Sequence, residues 1–345
     1  MRINMTSRDI VKNIFMRKNN DGLAFWTGHP NPASVPNMAK EWGIEPTYEA
    51  IYTFLNDDCR WISADGGYKH PEGRPMFDTA WGTSGRPTLS AGGTFADTED
   101  VTEVERYPWP DPKYLDFSDV YAAIERHSDK AVFTGMWSCF YHIVADFFGM
   151  ENYFVKMYEN PAVVEAVTEH VVDFYVEANE KFFAGLGDRA DIFFFGNDFG
   201  TQRDLMISPE MFRKFVLPSV KRLVAVAKKY GKFVMLHSCG SIYRVIPDLI
   251  EAGVDALHPI QAQAAGMDAK SLSQYKNDLA FVGGIDAQSF FVNAAPEEVE
   301  AEVYRVREIL GPNIVISPSH EEILPNVPPA NVLAMSRAAH SRKSE

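Results

Sequence analysis

Short apolar runs, most of them continuous, recur along the chain. Each is followed by a longer stretch in which apolar positions return every three or four residues. Eight runs read as strands, at 23–27, 60–64, 131–136, 191–196, 232–237, 254–258, 279–283 and 313–317. Unbroken apolar character, rather than alternation, is what strands buried on both faces of a parallel sheet require. The stretches between them carry helix punctuation. Ser208-Pro209-Glu210 offers a cap, a first-turn proline and an acidic residue, and predicts a helix running to Tyr230 and ended by Gly231. Asn160-Pro161 opens another helix, Ala295-Pro296-Glu297-Glu298 a third, and 242–252 a fourth that Gly253 closes. Eight strands with intervening helices predict an α/β fold, a (β/α)8 TIM barrel.

Two segments make it a distorted barrel. Residues 66–112 are rich in Gly and Pro, and short alternating runs at 79–83 and 88–94 predict a β-hairpin insertion after the second strand. The connection 137–190 is also long and predicts two helices. Insertions of this kind build the mouth of a barrel and shape what enters it. Residues 1–340 read as one domain and 341–345 as a frayed tail.

Composition narrows the function classes. At 345 residues and 46% hydrophobic, the chain can build a large core. A net charge of −14 argues against nucleic acid or an anionic membrane as the main partner. It disfavours a polyanionic substrate as well. No apolar run reaches the roughly 18 residues of a membrane span. The N-terminal residues Met1-Arg2-Ile3-Asn4-Met5 lack the apolar core of a secretory signal. Three widely separated cysteines suit a reducing compartment, so a soluble, cytoplasmic protein is expected.

In such a barrel, chemistry collects where the strands end. Those ends read Trp26-Thr27-Gly28-His29, Trp137-Ser138-Cys139-Phe140-Tyr141-His142, and Gly196-Asn197-Asp198-Phe199-Gly200-Thr201-Gln202. Further on come His237-Ser238-Cys239-Gly240, His258-Pro259-Ile260-Gln261, Gly283-Gly284-Ile285-Asp286 and Ser317-Pro318-Ser319-His320-Glu321-Glu322. The fifth strand end is the most telling. His237 and Cys239 are two apart, so their side chains share a face, and both are good zinc ligands. Taken alone, the pair is also what a buried histidine beside a structural thiol would leave.

The chain resembles the uroporphyrinogen decarboxylase superfamily, which includes corrinoid-dependent methyltransferases. The likeness rests on 197–202 with the helix start Ile207-Ser208-Pro209-Glu210, on 236–242, on 246–255, on Phe281-Val282-Gly283-Gly284-Ile285-Asp286 and on Pro325-Asn326-Val327-Pro328-Pro329. It implies a barrel with its site at the C-terminal face. The decarboxylase branch carries an arginine-bearing segment after the first strand that clamps a polycarboxylate. Here Trp26-Thr27-Gly28-His29-Pro30-Asn31-Pro32 holds no arginine, which argues against that activity.

The methyltransferase branch carries H-x-C and a later cysteine, together binding zinc. His237 and Cys239 match, but no cysteine follows Cys239. The resemblance therefore leaves the third metal ligand open: His320 is the first choice, and Glu321 or Glu322 the second, since zinc accepts N, S and O donors. Cys139 stays a minor alternative and Cys59 reads as structural. The implied function is a zinc-dependent methyltransferase, of O-demethylase or thiol type. It exchanges a methyl group between a small methylated substrate and a corrinoid held by a partner protein, and a homodimer is implied too. Asp198, His258 and Asp286 are the expected catalytic groups. Trp26, His29, Trp137, Asn197, Gln202 and Gln261 are expected to bind substrate. Trp61, Tyr68, Trp81, Phe140 and Tyr141 add an aromatic mouth, and Phe193-Phe194-Phe195 reads as core. Two rival readings share the fold. One is a metal-independent lyase acting on a small carboxylate through Asp198, His237 and His320. The other is a non-catalytic barrel that binds a corrinoid protein or tetrapyrrole.

Overall fold

The structure, a computed structural model, describes residues 5–18, 23–79 and 88–341. All eight predicted runs carry a strand: β1 (Ala24–Phe25), β2 (Cys59–Ser63), β3 (Ala131–Gly135), β4 (Ile192–Gly196), β5 (Phe233–His237), β6 (Ala256–Ile260), β7 (Ala280–Ile285) and β8 (Ile314–Pro318). Every paired neighbour is parallel, in the order β1-β8-β7-β6-β5-β4-β3-β2. The fold is the expected (β/α)8 barrel, nearly closed.

The distortion sits between β1 and β2, which form no ladder. Two buried carboxylates bridge this seam instead. Asp58 accepts from the Phe25 N–H at 2.9 Å and Asp57 from the Thr27 N–H at 2.7 Å. The Asp58 N–H in turn donates to the Phe25 carbonyl at 3.1 Å. Thus backbone donors that a short β1 leaves unmatched find side-chain acceptors rather than staying orphaned.

The barrel interior is filled by small residues set against large rings. Ala24, Ala131, Ala256 and Ala280 face Trp26, Phe133 and Phe194. Trp26 meets Phe133 edge-on at 5.0 Å and Phe194 at 5.9 Å between centroids. Such alternation fills a tapering barrel without voids. A helix at Ser7–Phe15, not expected from the apolar pattern, closes the bottom with Val11, Ile14 and Phe15. Its signal was a capping box, Thr6 with Asp9 three residues on.

Helix boundaries moved where proline intervened. The helix expected to run to Tyr230 is two, Pro209–Phe215 and Leu217–Lys229. Pro218 has no N–H and its ring collides with the carbonyl four residues back, so one rod cannot pass through it. The 242–252 helix begins as a 3-10 turn, Tyr243–Val245, before Ile246–Glu251. Residues 137–190 hold three helices rather than two: Phe140–Phe148, Met150–Glu159 and Pro161–Leu186.

The expected β-hairpin is not found among the described residues of 66–112. They form turns, a helix at Val101–Glu105 and one isolated bridge, Tyr68 to Leu115. Aromatic packing holds the segment down in place of a ladder. Phe77 packs edge-on against Phe174 at 5.5 Å, Phe95 lies against Phe147, and Trp109 stacks on His170 at 4.7 Å. Most of the run at 79–83, with Trp81, and residues 342–345 of the expected tail lie outside the described residues. Among the described residues, no helix is long and apolar enough to cross a membrane.

Candidate functional site

Inward-facing rings form a floor just below the C-terminal ends of the strands. Trp61 of β2 and Trp137 beyond β3 meet at 4.9 Å, and both pack edge-on against Phe194 of β4, at 5.5 and 5.1 Å. Trp137 continues to the His237 ring at 5.5 Å. Above this floor the ends of β4, β5 and β6 converge. The Asn197 N–H donates to the His237 carbonyl at 3.0 Å, and the Ser238 N–H to the His258 carbonyl at 2.8 Å.

Three donor atoms gather there. The carboxylate of Asp198, an imidazole nitrogen of His237 and the sulfur of Cys239 all lie within 4.8 Å of one another. His237 Nε2 stands 3.2 Å from Asp198 Oδ1 and 3.5 Å from Cys239 Sγ. Asp198 is itself held: its Oδ1 accepts from the Cys239 N–H at 2.8 Å, and its own N–H donates to His142 Nε2 at 2.8 Å. Burial would raise the Asp198 carboxyl. The His237 hydrogen bond and charge and the Cys239 N–H outweigh it and hold the carboxyl well below the usual range.

A second group shares His237. His237, His258 and Glu321 also bring ligand atoms within 4.8 Å of one another. His237 Nδ1 is 3.0 Å from His258 Nδ1 and 3.7 Å from Glu321 Oε2. The two groups therefore engage opposite nitrogens of one ring. Burial alone would lower the His237 pKa, but Asp198, Cys239 and Glu321 raise it well above an ordinary imidazole. Burial, then the neighbouring His237, pushes His258 well below one. His258 Nε2 and Glu321 Oε2 are buried and have no hydrogen-bond partner among the described residues. Glu321 is placed by its backbone. The His29 N–H donates to its carbonyl at 2.7 Å, and Gly28, at φ +81°, passes so close that a β carbon would stand 2.3 Å from that carbonyl oxygen.

The remaining expected residues scatter around this centre. His320 belongs to neither group; its side chain is 41% exposed and its Nδ1 accepts from the Glu322 N–H at 3.0 Å. Hydrogen bonding to Cys239 nevertheless raises its pKa, so it borders the sulfur. Trp26 is buried in the barrel interior, its ring 5.0 Å from that of His258. His29 is exposed at the rim, stacked on Tyr48 at 4.4 Å. Asn197 is a pin: its Oδ1 accepts from the Tyr141 N–H at 2.8 Å and its Nδ2 donates to the Ser138 carbonyl at 3.1 Å. Gln261 Oε1 accepts from the Gly240 N–H, whereas Gln202 is exposed and engages Ala265 through its backbone. Asp286 accepts from the backbone of Gln288 and Phe290, the Ser289 hydroxyl and Gln263. Cys139 faces Tyr175 at 3.8 Å, and burial lifts its thiol to about 11.

A family description for uroporphyrinogen decarboxylase (URO-D) matches residues 90–342, well over half of the sequence. The chain belongs to the uroporphyrinogen decarboxylase family. Among curated relatives, it is 26% identical over 251 residues to a methylated-thiol–coenzyme M methyltransferase of Methanosarcina mazei, covering 66% of this chain and 61% of that protein. A methylcobamide:CoM methyltransferase, MtbA, of the same organism is 28% identical over 101 residues, 29% of each chain. The chain thus spans less than two thirds of either relative. A solved methyltransferase from Methanosarcina mazei superposes with a TM-score of 0.68 over 97% of this chain and 98% of that one, at 14% identity, a likeness of fold.

His142 was in the sequence as a strand-end residue without a role; its bond to the Asp198 N–H gives it one within this family member's site.

Proposed function

We propose that this protein is a zinc-dependent methyltransferase that moves a methyl group between a small methylated compound and a corrinoid carried by a partner protein. The observation that carries the reading is the meeting of His237 Nε2, Cys239 Sγ and an Asp198 oxygen within 4.8 Å at the barrel mouth. An N, S, O set is one that zinc accepts, and three protein donors leave a fourth position for substrate, as catalytic sites require. His237, Cys239 and Asp198 would hold the ion; Glu321 faces the other nitrogen of His237 and is the alternative donor.

Bound zinc supplies Lewis acidity toward a thiol or a methyl-bearing heteroatom. The chain's own residues do the rest. His237 and then the N–H of Cys239 hold the Asp198 carboxyl low, and that N–H fixes its position. Trp61, Trp137 and Phe194 present an apolar floor to a methyl group and exclude water beneath it. The likeness to a methylated-thiol–coenzyme M methyltransferase and a methylcobamide:CoM methyltransferase supports the reading.

The test uses the full chain. Purified protein should hold about one equivalent of zinc by elemental analysis, lost in His237→Ala and Cys239→Ala. With cob(I)alamin as acceptor, a panel of methylated thiols and methoxyarenes should produce the absorbance change of cobalamin methylation. Metal-free protein that turns over a small carboxylate with unchanged rate would overturn the proposal in favour of the lyase.

A further inference from the structure

We infer that His258, backed by Glu321, is a positioning residue that fixes the His237 ring with its Nε2 lone pair facing Cys239 and Asp198. The inference rests on the metal reading above and assigns what that reading leaves open, the work of the second group around His237.

The argument starts from the two nitrogens of one ring. His237 Nε2 faces Asp198 Oδ1 at 3.2 Å and Cys239 Sγ at 3.5 Å, while Nδ1 faces His258 Nδ1 at 3.0 Å. A neutral imidazole carries one proton, so a ring that offers a lone pair at Nε2 must carry its proton at Nδ1. That proton needs an acceptor, and His258 Nδ1 is the one in hydrogen-bond range. Glu321 Oε2, at 3.7 Å, is too far for a direct bond and acts as a negative charge behind it. A metal-facing histidine is oriented in this way by whatever receives its other N–H.

The surroundings of His258 suit a fixed acceptor. It is 1% exposed and wedged between Trp26 at 5.0 Å and Phe194 at 5.4 Å, so its ring has no room to turn. Its Nε2 is buried and meets no hydrogen-bond partner among the described residues. A group exchanging protons with a substrate needs a path to it, and this ring is enclosed between Trp26 and Phe194. The backbone of Glu321 is fixed by the His29 N–H on its carbonyl and the close passage of Gly28.

The test separates the acceptor from the shape. Asparagine places an oxygen near the position of a histidine Nδ1, so His258→Asn keeps an acceptor that His258→Leu removes. Metal-freed full-length protein is titrated with Co2+, reading the ligand-field and thiolate-to-cobalt absorption bands. His258→Asn should bind within a few-fold of the parent, and His258→Leu about 10–100-fold more weakly. Glu321→Gln should show a smaller loss with the same bands. Equal affinity in His258→Leu and the parent would overturn the inference, as would equal weakness in His258→Asn and His258→Leu. Disappearance of the bands in Glu321→Gln, as in Cys239→Ala, would also overturn it by making Glu321 a ligand. If the parent takes up no Co2+, the metal reading fails by itself. The inference is then judged by nitrogen-15 spectra of labelled histidine, taken at a pH where His237 is neutral: a proton on Nδ1 with a bare Nε2, reversed in His258→Leu, supports it, and a proton on Nε2 in the parent refutes it.

Discussion

The indole of Trp137 lies where a side chain on Gly196 would stand. A β carbon at Gly196 would come within 2.3 Å of the indole and 3.0 Å of the His237 β carbon. Gly196 is therefore the vacancy that lets the floor of the site reach His237. In Gly196→Ala the ring must shift, and overpacking of this kind costs about 1–3 kcal/mol. The expected outcome is a lower unfolding midpoint with altered tryptophan emission. An unchanged midpoint and spectrum would show that Trp137 has slack the packing does not reveal.

Asn197 makes a second prediction. It is 1% exposed and satisfies two backbone groups of the loop after β3, the Tyr141 N–H and the Ser138 carbonyl. Asn197→Ala leaves both unmatched in a dry place, at about 1–3 kcal/mol each. Urea unfolding should show the loss. Hydrogen exchange should show it too, concentrated at residues 138–141; loss spread evenly over the barrel would contradict the pin.

Asp286 presents the opposite case to Asp198. Its oxygens are occupied by the N–H groups of Gln288 and Phe290, the Ser289 hydroxyl and the Gln263 amide, beside the short helix Phe290–Asn293. Burial would raise its carboxyl, but these backbone bonds lower it. Asp286→Ala leaves these donors unmatched in a buried place and should lose at least about 1–3 kcal/mol. Its Co2+ affinity should match the parent's. Weakened metal uptake would move Asp286 into the site.

The contrast between those two aspartates marks what could be read in the residues alone. Mostly continuous apolar runs located every strand, because strands buried on both faces have few polar positions to break the pattern. His237 and Cys239 were legible because strand geometry puts residues two apart on one face. The third partner was not, since Asp198 reaches His237 only through the pairing of β4 with β5. Asp198 and Asp286 each follow a strand as an acidic loop residue, and only tertiary placement separates one facing a histidine and a thiol from one facing amides. The helix break before Pro218 and the capping box at Thr6 were local signals. The 66–112 segment was not legible, because rings anchor its described part to helices far along the chain and no ladder leaves a period in the sequence.

The pH dependence of stability offers a further check. His340 Nε2 stands 3.0 Å from Asp58 Oδ2 at the seam. Burial would lower the His340 pKa, but the Asp58 bond and charge raise it above the ordinary 6.5. A value raised on folding gives stabilisation that is fully present below pH 6.5 and fades as pH climbs through the folded value. His340→Gln should therefore lower the unfolding midpoint at pH 6 and lose its effect in alkaline buffer. Neighbouring Asp57 titrates at the lower end of this window, and its charge adds to the upward pull on His340. Burial lifts its carboxyl from 3.8 to about 6, so its own contribution fades between those values. A constant difference between parent and variant from pH 6 to pH 9 would refute the pairing.

A barrel laddered at seven joints and clasped at the eighth is, in hydrogen-bond terms, an open sheet with two edges. Exposed edges are where a foreign strand docks and aggregation begins. On this chain the donors such a strand would seek, the N–H groups of Phe25 and Thr27, are already taken by Asp58 and Asp57. The same two carboxylates that hold the barrel shut thus act as guards against misassembly, keeping a strand too short to pair with β2 from pairing with anything else.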